Sequence, residues 1–266
     1  MKTISSRQNP IVRRFRELAR TPDSSGARLL LDGVHLVRDA RAAGIEIEVA
    51  AIAASRSRDA SEEADLARAL AADGALVHTV SDHAFLAMSP VRTPSGLLAI
   101  VRRTPADADH ICRRADAFVL VAIDVQDPGN LGSLVRAGEA GGATGVLVCG
   151  TSASPFSWKA VRGSMGSMLR LPVAAGLSAD DAIRCMRRHR GRVVAGAPRG
   201  GRPPDTIDWR RPVALLLGGE GPGLSDATLA QADDLVTIPM TPPVESLNVA
   251  VAAAILVYAA RRQRVV

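Results

Sequence analysis

The chain has 266 residues, enough for one large domain or two small ones. Hydrophobic residues make up 47% and charged residues 23%, a globular composition that excludes a disordered or low-complexity chain. Lys and Arg number 33 against 27 Asp and Glu, a net +6, and Lys2 and Lys159 are the only lysines. Either Arg replaces Lys in a GC-rich genome, or the chain meets a polyanion, since Arg pairs phosphate bidentately. Aromatics are only 3%, which disfavours a stacking platform for single-stranded nucleic acid.

Cys112, Cys149 and Cys185 are odd in number and lack CxxC spacing, which points to a reducing compartment without a disulfide framework. The N-terminus lacks the apolar stretch of a secretory signal. The longest apolar run, Val249–Ala260, is 12 residues, short of the ~20 that span a bilayer. A cytoplasmic protein with no membrane partner is expected.

Residues 6–20 read as a short basic helix, started by Asn9-Pro10, with Val12, Phe15 and Leu18 at helical spacing. Residues 1–20 hold six Lys/Arg and one Glu, so almost all of the net charge sits there. A strand over Leu29–Leu31, a helix from Gly33 to Ala43, a strand over Ile47–Ala53, a helix over Glu62–Ala72 and strands over Leu76–Val80 and Leu97–Val101 follow. Residues 102–116 are polar, contain Pro105 and lack apolar periodicity, and read as a linker. The expected division is a small α/β domain over 1–105, a linker over 106–116 and a second domain over 117–266. That second domain is predicted to hold strands at Phe118–Ile123, Gly145–Val148, Leu171–Val173, Val193–Ala195, Val213–Leu217 and Leu235–Ile238. Its predicted helices are Leu131–Ala140, Trp158–Met168, Asp180–Arg190 and Leu247–Arg262. Continuously apolar strands are buried on both faces, which implies a parallel sheet covered by helices.

Three Gly/Asn/Pro-rich segments follow strands of this second domain, where ligands bind in open α/β sheets. The first is Asp124-Val-Gln-Asp-Pro-Gly-Asn130, with Arg136 almost two turns into the next helix. The second, Gly218-Gly-Glu-Gly-Pro-Gly223, lets backbone approach a ligand closely and carries the isolated Glu220. It lacks the spacing of a dinucleotide fingerprint. The third runs from Ile238 through Met240 and Pro242-Pro243 to Ser246-Leu247-Asn248; Ser246 reads as the N-cap of a helix apolar nearly all round, fit for a core or an oligomer contact. His35, His78, His83, His110 and His189 show no ligand spacing, and no metal is expected.

The order NxGxxxR, LLLGGEGPGLS and IPM…ESLNVAVA resembles the three motifs of the SpoU/TrmH family of RNA 2′-O-ribose methyltransferases, over residues 117–262. Leu31-Asp-Gly-Val-His-Leu-Val37 is similar to the small RNA-binding domain that many members carry in front. Gly219 stands where members often have Asn, Ala or Ser, and Pro242-Pro243 where they often have Gly. The resemblance implies an α/β fold with a trefoil-knotted C-terminal domain, S-adenosylmethionine as cofactor, a homodimer, and methyl transfer to RNA, ribosomal rather than transfer RNA. On the matching positions it implies that Gly218, Ile238 and Leu247, helped by Ala195, Gly196, Gly219 and Met240, hold the cofactor. It implies that Arg136 activates or orients the substrate inside a frame of Asn130, Glu220, Ser246 and Asn248. Arg162, Arg7, Arg13 and Arg14 are candidate RNA contacts. The alternative is an inactive RNA- or ribosome-binding protein of the same fold.

Overall fold

The structure, a computed structural model, describes residues 3–57 and 61–264; Lys2 lies outside them. The chain divides into two compact units, residues 1–104 with 156–169, and residues 105–155 with 170–266.

The N-terminal unit contains α1 (Pro10–Arg20), β1 (Arg28–Asp32), α2 (Val34–Ala42), β2 (Glu46–Ala53), α3 (Ala54–Ser57), α4 (Glu62–Ala72), β3 (Leu76–Val80), α5 (Asp82–Met88) and β4 (Leu97–Arg102). Its sheet runs β1-β4-β2-β3, parallel only between β2 and β3. Asn9 caps α1 by accepting from the Ile11 amide, and Pro10 fills the first turn, where its missing N–H costs nothing. Val12 and Phe15 of α1 pack with Ala84, Phe85 and Met88 of α5 over one face of the sheet. Arg14 is drawn into this unit. Burial alone would raise the Glu48 carboxyl, but hydrogen bonds from Arg14, Arg28 and Arg102 outweigh it and hold Glu48 down at about 2.

The C-terminal unit begins with α6 (Ala108–Cys112), inside the expected linker. Asp107 accepts from the His110 amide at 2.9 Å, and Ile111 and Cys112 are buried in the unit's core. One helical turn with two apolar residues is too short to show a period. Next in the chain come β5 (Phe118–Ile123), α7 (Pro128–Gly141), β6 (Gly145–Cys149), then α8 (Trp158–Gly163) and α9 (Ser167–Arg170), which fall within the N-terminal unit except for Arg170, and then β7 (Val173–Leu177), α10 (Ala179–Arg188), β8 (Arg192–Gly196), a 3-10 turn (Pro204–Thr206), β9 (Val213–Gly218), α11 (Asp226–Leu229), β10 (Asp234–Val236) and α12 (Val249–Arg264) of the C-terminal unit. The six-stranded sheet is wholly parallel in the order β10-β8-β9-β5-β6-β7. β5 and β6 are buried along their whole length, as continuous apolar runs require.

Several boundaries differ from the sequence reading: α1 starts at Pro10 rather than residue 6, α7 at Pro128 rather than Leu131 and α12 at Val249 rather than Leu247. β7 starts at Val173 rather than Leu171, because Pro172 cannot donate and offers only its carbonyl, to the Val146 amide. β10 stops at Val236, ahead of the prolines at 239, 242 and 243. The expected helix Trp158–Met168 is broken where Met165 and Gly166 take φ of 48° and 88°; Ser164 Oγ donates to the Val161 carbonyl and accepts from the Met168 amide across the break. The segment 156–169 also belongs to the N-terminal unit, not to the second domain. The Phe156 ring lies under the Arg103 guanidinium, 5.2 Å from its carbon, and an added Cβ at Gly26 would sit 2.6 Å from that ring.

α12 packs on α7 so closely that a Cβ on Gly141 would lie 1.9 Å from Cγ1 of Val257. Gly141→Ala gains about 1 kcal/mol of helix propensity. The overpacking costs about 1–3 kcal/mol and wins. Thermal unfolding of the variant is expected at a lower temperature than wild type, with Val257→Ala in the same chain recovering most of the loss.

Candidate active site

Because every strand of the C-terminal sheet runs the same way, the loops after β5, β8, β9 and β10 all emerge at its carboxyl edge. Ile123, the last residue of β5, lies opposite Gly218, the last of β9. The two loops that follow touch: the Gly219 amide donates to the Ile123 carbonyl, and a Cβ on Gly219 would fall 1.9 Å from the Asp124 carbonyl oxygen.

Asp127, not Asn130, caps α7, its Oδ1 accepting from the Asn130 amide at 2.7 Å. The Asn130 side chain is thereby free to point across the edge. Its Nδ2 donates to Glu220 Oε1 at 2.5 Å, and its Oδ1 accepts from Asn248 Nδ2 at 3.0 Å. Asn248, rather than Ser246, closes the start of α12: its Oδ1 accepts from the amides of Ala250 and Val251. Ser246 is exposed two residues earlier. The Asp127-Pro128 dipeptide is the sequence signal for the first cap, a carboxylate ahead of a proline that fills the first turn.

Beside this relay lies a cavity of about 350 Å³ lined by the loops after β8, β9 and β10 and the first turns of α12. Gly196, Gly218, Gly219, Ile238, Met240 and Leu247 line it as expected, with Glu220, Ser246 and Asn248. Ala195 does not: it is fully buried inside β8, in the core cluster. Sequence reading missed Ala197, Pro198, Pro222, Ala252 and Leu256 in the lining; Ala197 and Pro222 adjoin glycines of the same loops, Pro198 follows Ala197, and Ala252 and Leu256 are one helical turn apart on α12. Arg136 is exposed on α7, outside the lining, and carries no hydrogen bond or ion pair among the described residues. Arg7, Arg13, Arg14 and Arg162 all lie in the N-terminal unit. Arg7, Arg13 and Arg162 are exposed, while Arg14 is held by Glu48.

Cys149 at the end of β6 is buried, which pushes its thiol up to about 12, with Asp181 and Asp124 adding to the shift. Burial raises Cys112 as well, and all three cysteines are free. These are packing residues rather than nucleophiles. No group of His, Cys, Asp and Glu among the described residues is placed to hold a metal ion. No helix among them is long and apolar enough to cross a membrane.

Residues 117–258, the span that builds the parallel sheet and the relay, match the SpoU rRNA Methylase family. The chain belongs to that family. It is 32% identical to an uncharacterized tRNA/rRNA methyltransferase of Synechocystis, over 98% of this chain and 94% of the relative. It is 30% identical to the 23S rRNA (guanosine(2553)-2'-O)-methyltransferase RlmP of Bacillus subtilis, over 97% and 98%. Among solved structures, it resembles an AdoMet-bound rRNA methyltransferase from Sinorhizobium meliloti, with a TM-score of 0.84, 30% identity and 98% and 97% of the two chains covered. The SpoU methyltransferase AviRb from Streptomyces viridochromogenes, in complex with AdoMet, follows at 0.82, with 26% identity over 96% and 98%.

In this SpoU chain, a Cβ on Gly218 would lie 2.5 Å from the Gly223 carbonyl carbon and 2.6 Å from the Leu224 nitrogen. The glycine is demanded by the loop's own backbone. Gly218→Ala is therefore expected to lower the melting temperature through ~1–3 kcal/mol of overpacking. Thermal melts of the variant check this; an unchanged melting temperature would refute the backbone requirement.

Proposed function

We propose that this chain transfers a methyl group from S-adenosylmethionine to a ribose 2′-hydroxyl of ribosomal RNA. The observation that carries the reading is the relay Asn248–Asn130–Glu220 at the rim of the cavity, which brings together one residue from each of the three motif segments. The cavity suits the cofactor: its volume falls within the about 300–1,000 Å³ usual for small-molecule sites. Apart from Met240 and the polar Glu220, Ser246 and Asn248, its lining is glycine, proline and aliphatic side chains, which suits a flat adenine ring. Backbone at Gly218, Ile238 and Leu247 and the side chains of Met240 and Leu256 would hold the cofactor, with Gly196 and Gly219 allowing close approach. When bound, S-adenosylmethionine supplies a methyl group already activated by its sulfonium.

The protein's own task is then to place the hydroxyl in line and remove its proton. Arg136 presents an unpaired guanidinium that suits an RNA phosphate, bidentately. Arg7, Arg13 and Arg162 give the N-terminal unit exposed cations for further phosphate contacts, which supports its reading as the RNA-binding domain. The intact relay favours an active enzyme over an inactive binding protein. The order of the parallel strands, and the cavity built between the loop after β9 and the start of α12, support a trefoil knot in which the last helix passes through an earlier loop. The cytoplasm, where ribosomal RNA resides, is the expected location.

Assembly follows from α12. Its inner face is buried on α7, but Val251, Ile255 and Tyr258 remain 48%, 40% and 49% exposed at spacings of four and three residues. An apolar stripe of this kind suits a second copy of the chain. Ile255→Glu with Tyr258→Glu is expected to shift the protein from dimer to monomer in sedimentation at micromolar concentration; a monomeric wild type would refute the assignment.

Mapping methylation on ribosomal and transfer RNA from a deletion strain tests the substrate, and calorimetric titration with S-adenosylmethionine tests the cofactor, with a micromolar Kd expected. In Arg136→Ala, RNA and cofactor are expected to bind while single-turnover methyl transfer falls by a factor on the order of 10², the loss typical of a group acting in the transition state.

A further inference from the structure

Among the described residues, three other than glycine take positive φ: Asp124, Met165 and Arg190. Only Asp124 lies at the carboxyl edge of the C-terminal sheet, directly after β5. Glycine would adopt its φ of 57° without strain, so the side chain must contribute something that offsets the cost. The loop after β6 grips that side chain. Asp124 Oδ1 accepts from the Thr151 amide at 2.7 Å and from Thr151 Oγ1 at 2.9 Å. Gly150 leaves room for this, since a Cβ there would lie 2.3 Å from Oδ1. The same loop holds the next residue: the Val125 amide donates to Ser152 Oγ at 3.0 Å, and the Val125 carbonyl accepts from the Ala153 amide at 2.8 Å. On the other side the Asp124 carbonyl lies against Gly219, the residue before Glu220. Asp124 is thus wedged between the loops after β6 and β9, three residues ahead of the cap Asp127 and six ahead of Asn130. Neither the loop after β6 nor the segment 124–127 supplies a residue to the cavity lining. The grip of Thr151 and Ser152 therefore bears on the approach to α7 rather than on the walls around the cofactor.

We propose that Asp124 is a positioning residue for methyl transfer: clamped by Thr151, it sets the loop after β5 and, through it, the place of Asn130 at the start of α7. The proposal rests on the methyltransferase reading of the site. Asp124 acts through Asn130 and exchanges no proton with the substrate. Few residues serve here. Aspartate and asparagine combine tolerance of positive φ with a short side-chain acceptor, whereas glycine has the tolerance without the acceptor. The clamp and the backbone angle can therefore be separated by substitution.

The test uses the full chain and a 23S rRNA transcript. Asp124→Gly keeps the backbone angle and loses the clamp. Its single-turnover transfer at saturating cofactor is expected to fall at least about tenfold, since a misplacement of about 1 Å can cost on the order of 10². Its Kd for S-adenosylmethionine is expected within about twofold of wild type, and its melting temperature within about 4 °C. Asp124→Asn, whose Oδ1 still accepts from Thr151, is expected to bring transfer back to within about threefold of wild type. Asp124→Gly with Thr151→Val is no slower than Asp124→Gly, because a hydroxyl with no carboxylate to hold positions nothing. The proposal is overturned if Asp124→Gly slows transfer by less than about tenfold, the angle alone then being what the position needs. It is overturned equally if Asp124→Asn stays more than about threefold slow, or if Thr151→Val slows the glycine variant further. A loss of cofactor affinity or melting temperature beyond those limits also overturns it, by making Asp124 a support of the fold at large. Wild-type protein that binds no S-adenosylmethionine and labels no RNA sinks the underlying reading of the site, and the proposal with it.

Discussion

The side chain of Asn130 is the point on which the site depends. It joins Glu220, 90 residues away in the chain, to Asn248, 118 residues away. Each hydrogen bond contributes only about 1 kcal/mol net, so the relay does not hold the fold together. The dependence runs the other way: the parallel sheet brings three loops to one edge, and the relay fixes the direction of three polar side chains there. Asp127 makes this possible by capping α7, since an Asn130 that capped its own helix would spend its Oδ1 on backbone amides and leave no acceptor for Asn248.

The same economy governs the glycines around the cavity. Gly218 and Gly219 are excluded from bearing a side chain by backbone of their own and the adjoining loop, at 2.5 Å and 1.9 Å. Gly221 and Gly223 take positive φ, which glycine adopts without strain. The cavity is therefore shaped by protein packing before any ligand arrives. Preformed sites need less ordering on binding, which helps affinity without adding contacts.

What the sequence made legible follows from how far each signal reaches. Strand interiors such as Phe118–Ile123, and the helix Glu62–Ala72, are set by local periodicity and caps, and their ends fall where the residues place them. The residues of the relay were legible through their motifs, but their division of labour was not. Which of two neighbouring polar residues caps a helix depends on what the other can reach across the sheet edge, as with Asn130 beside Asp127 and Ser246 near Asn248. The allegiance of residues 156–169 was also hidden. The chain leaves the C-terminal unit after β6 and returns at β7, and between them Phe156 and Trp158 pack into the N-terminal unit. No local pattern encodes which of two cores a short helix joins. A truncation at residue 105 consequently strips Phe156 and Trp158 of their neighbours and is not a clean excision of one domain.

α12 carries this reasoning to its last step. Its first turn holds Asn248, the inner face packs on α7, and the far end is tied down by side chains. Arg264 donates to the carbonyls of Trp209, Arg211 and Asp116 and covers the Phe118 ring at 5.2 Å. Gln263 accepts from the Trp209 amide and donates to the Ile207 carbonyl. A helix fixed at both ends and along one face moves as a rigid body with the sheet it covers. The outer stripe of Val251, Ile255 and Tyr258 begins only three residues after Asn248. In the proposed dimer, a second copy seated on that stripe would order the helix start that aims Asn130 at Glu220, so that assembly and chemistry would meet on one helix through different side chains.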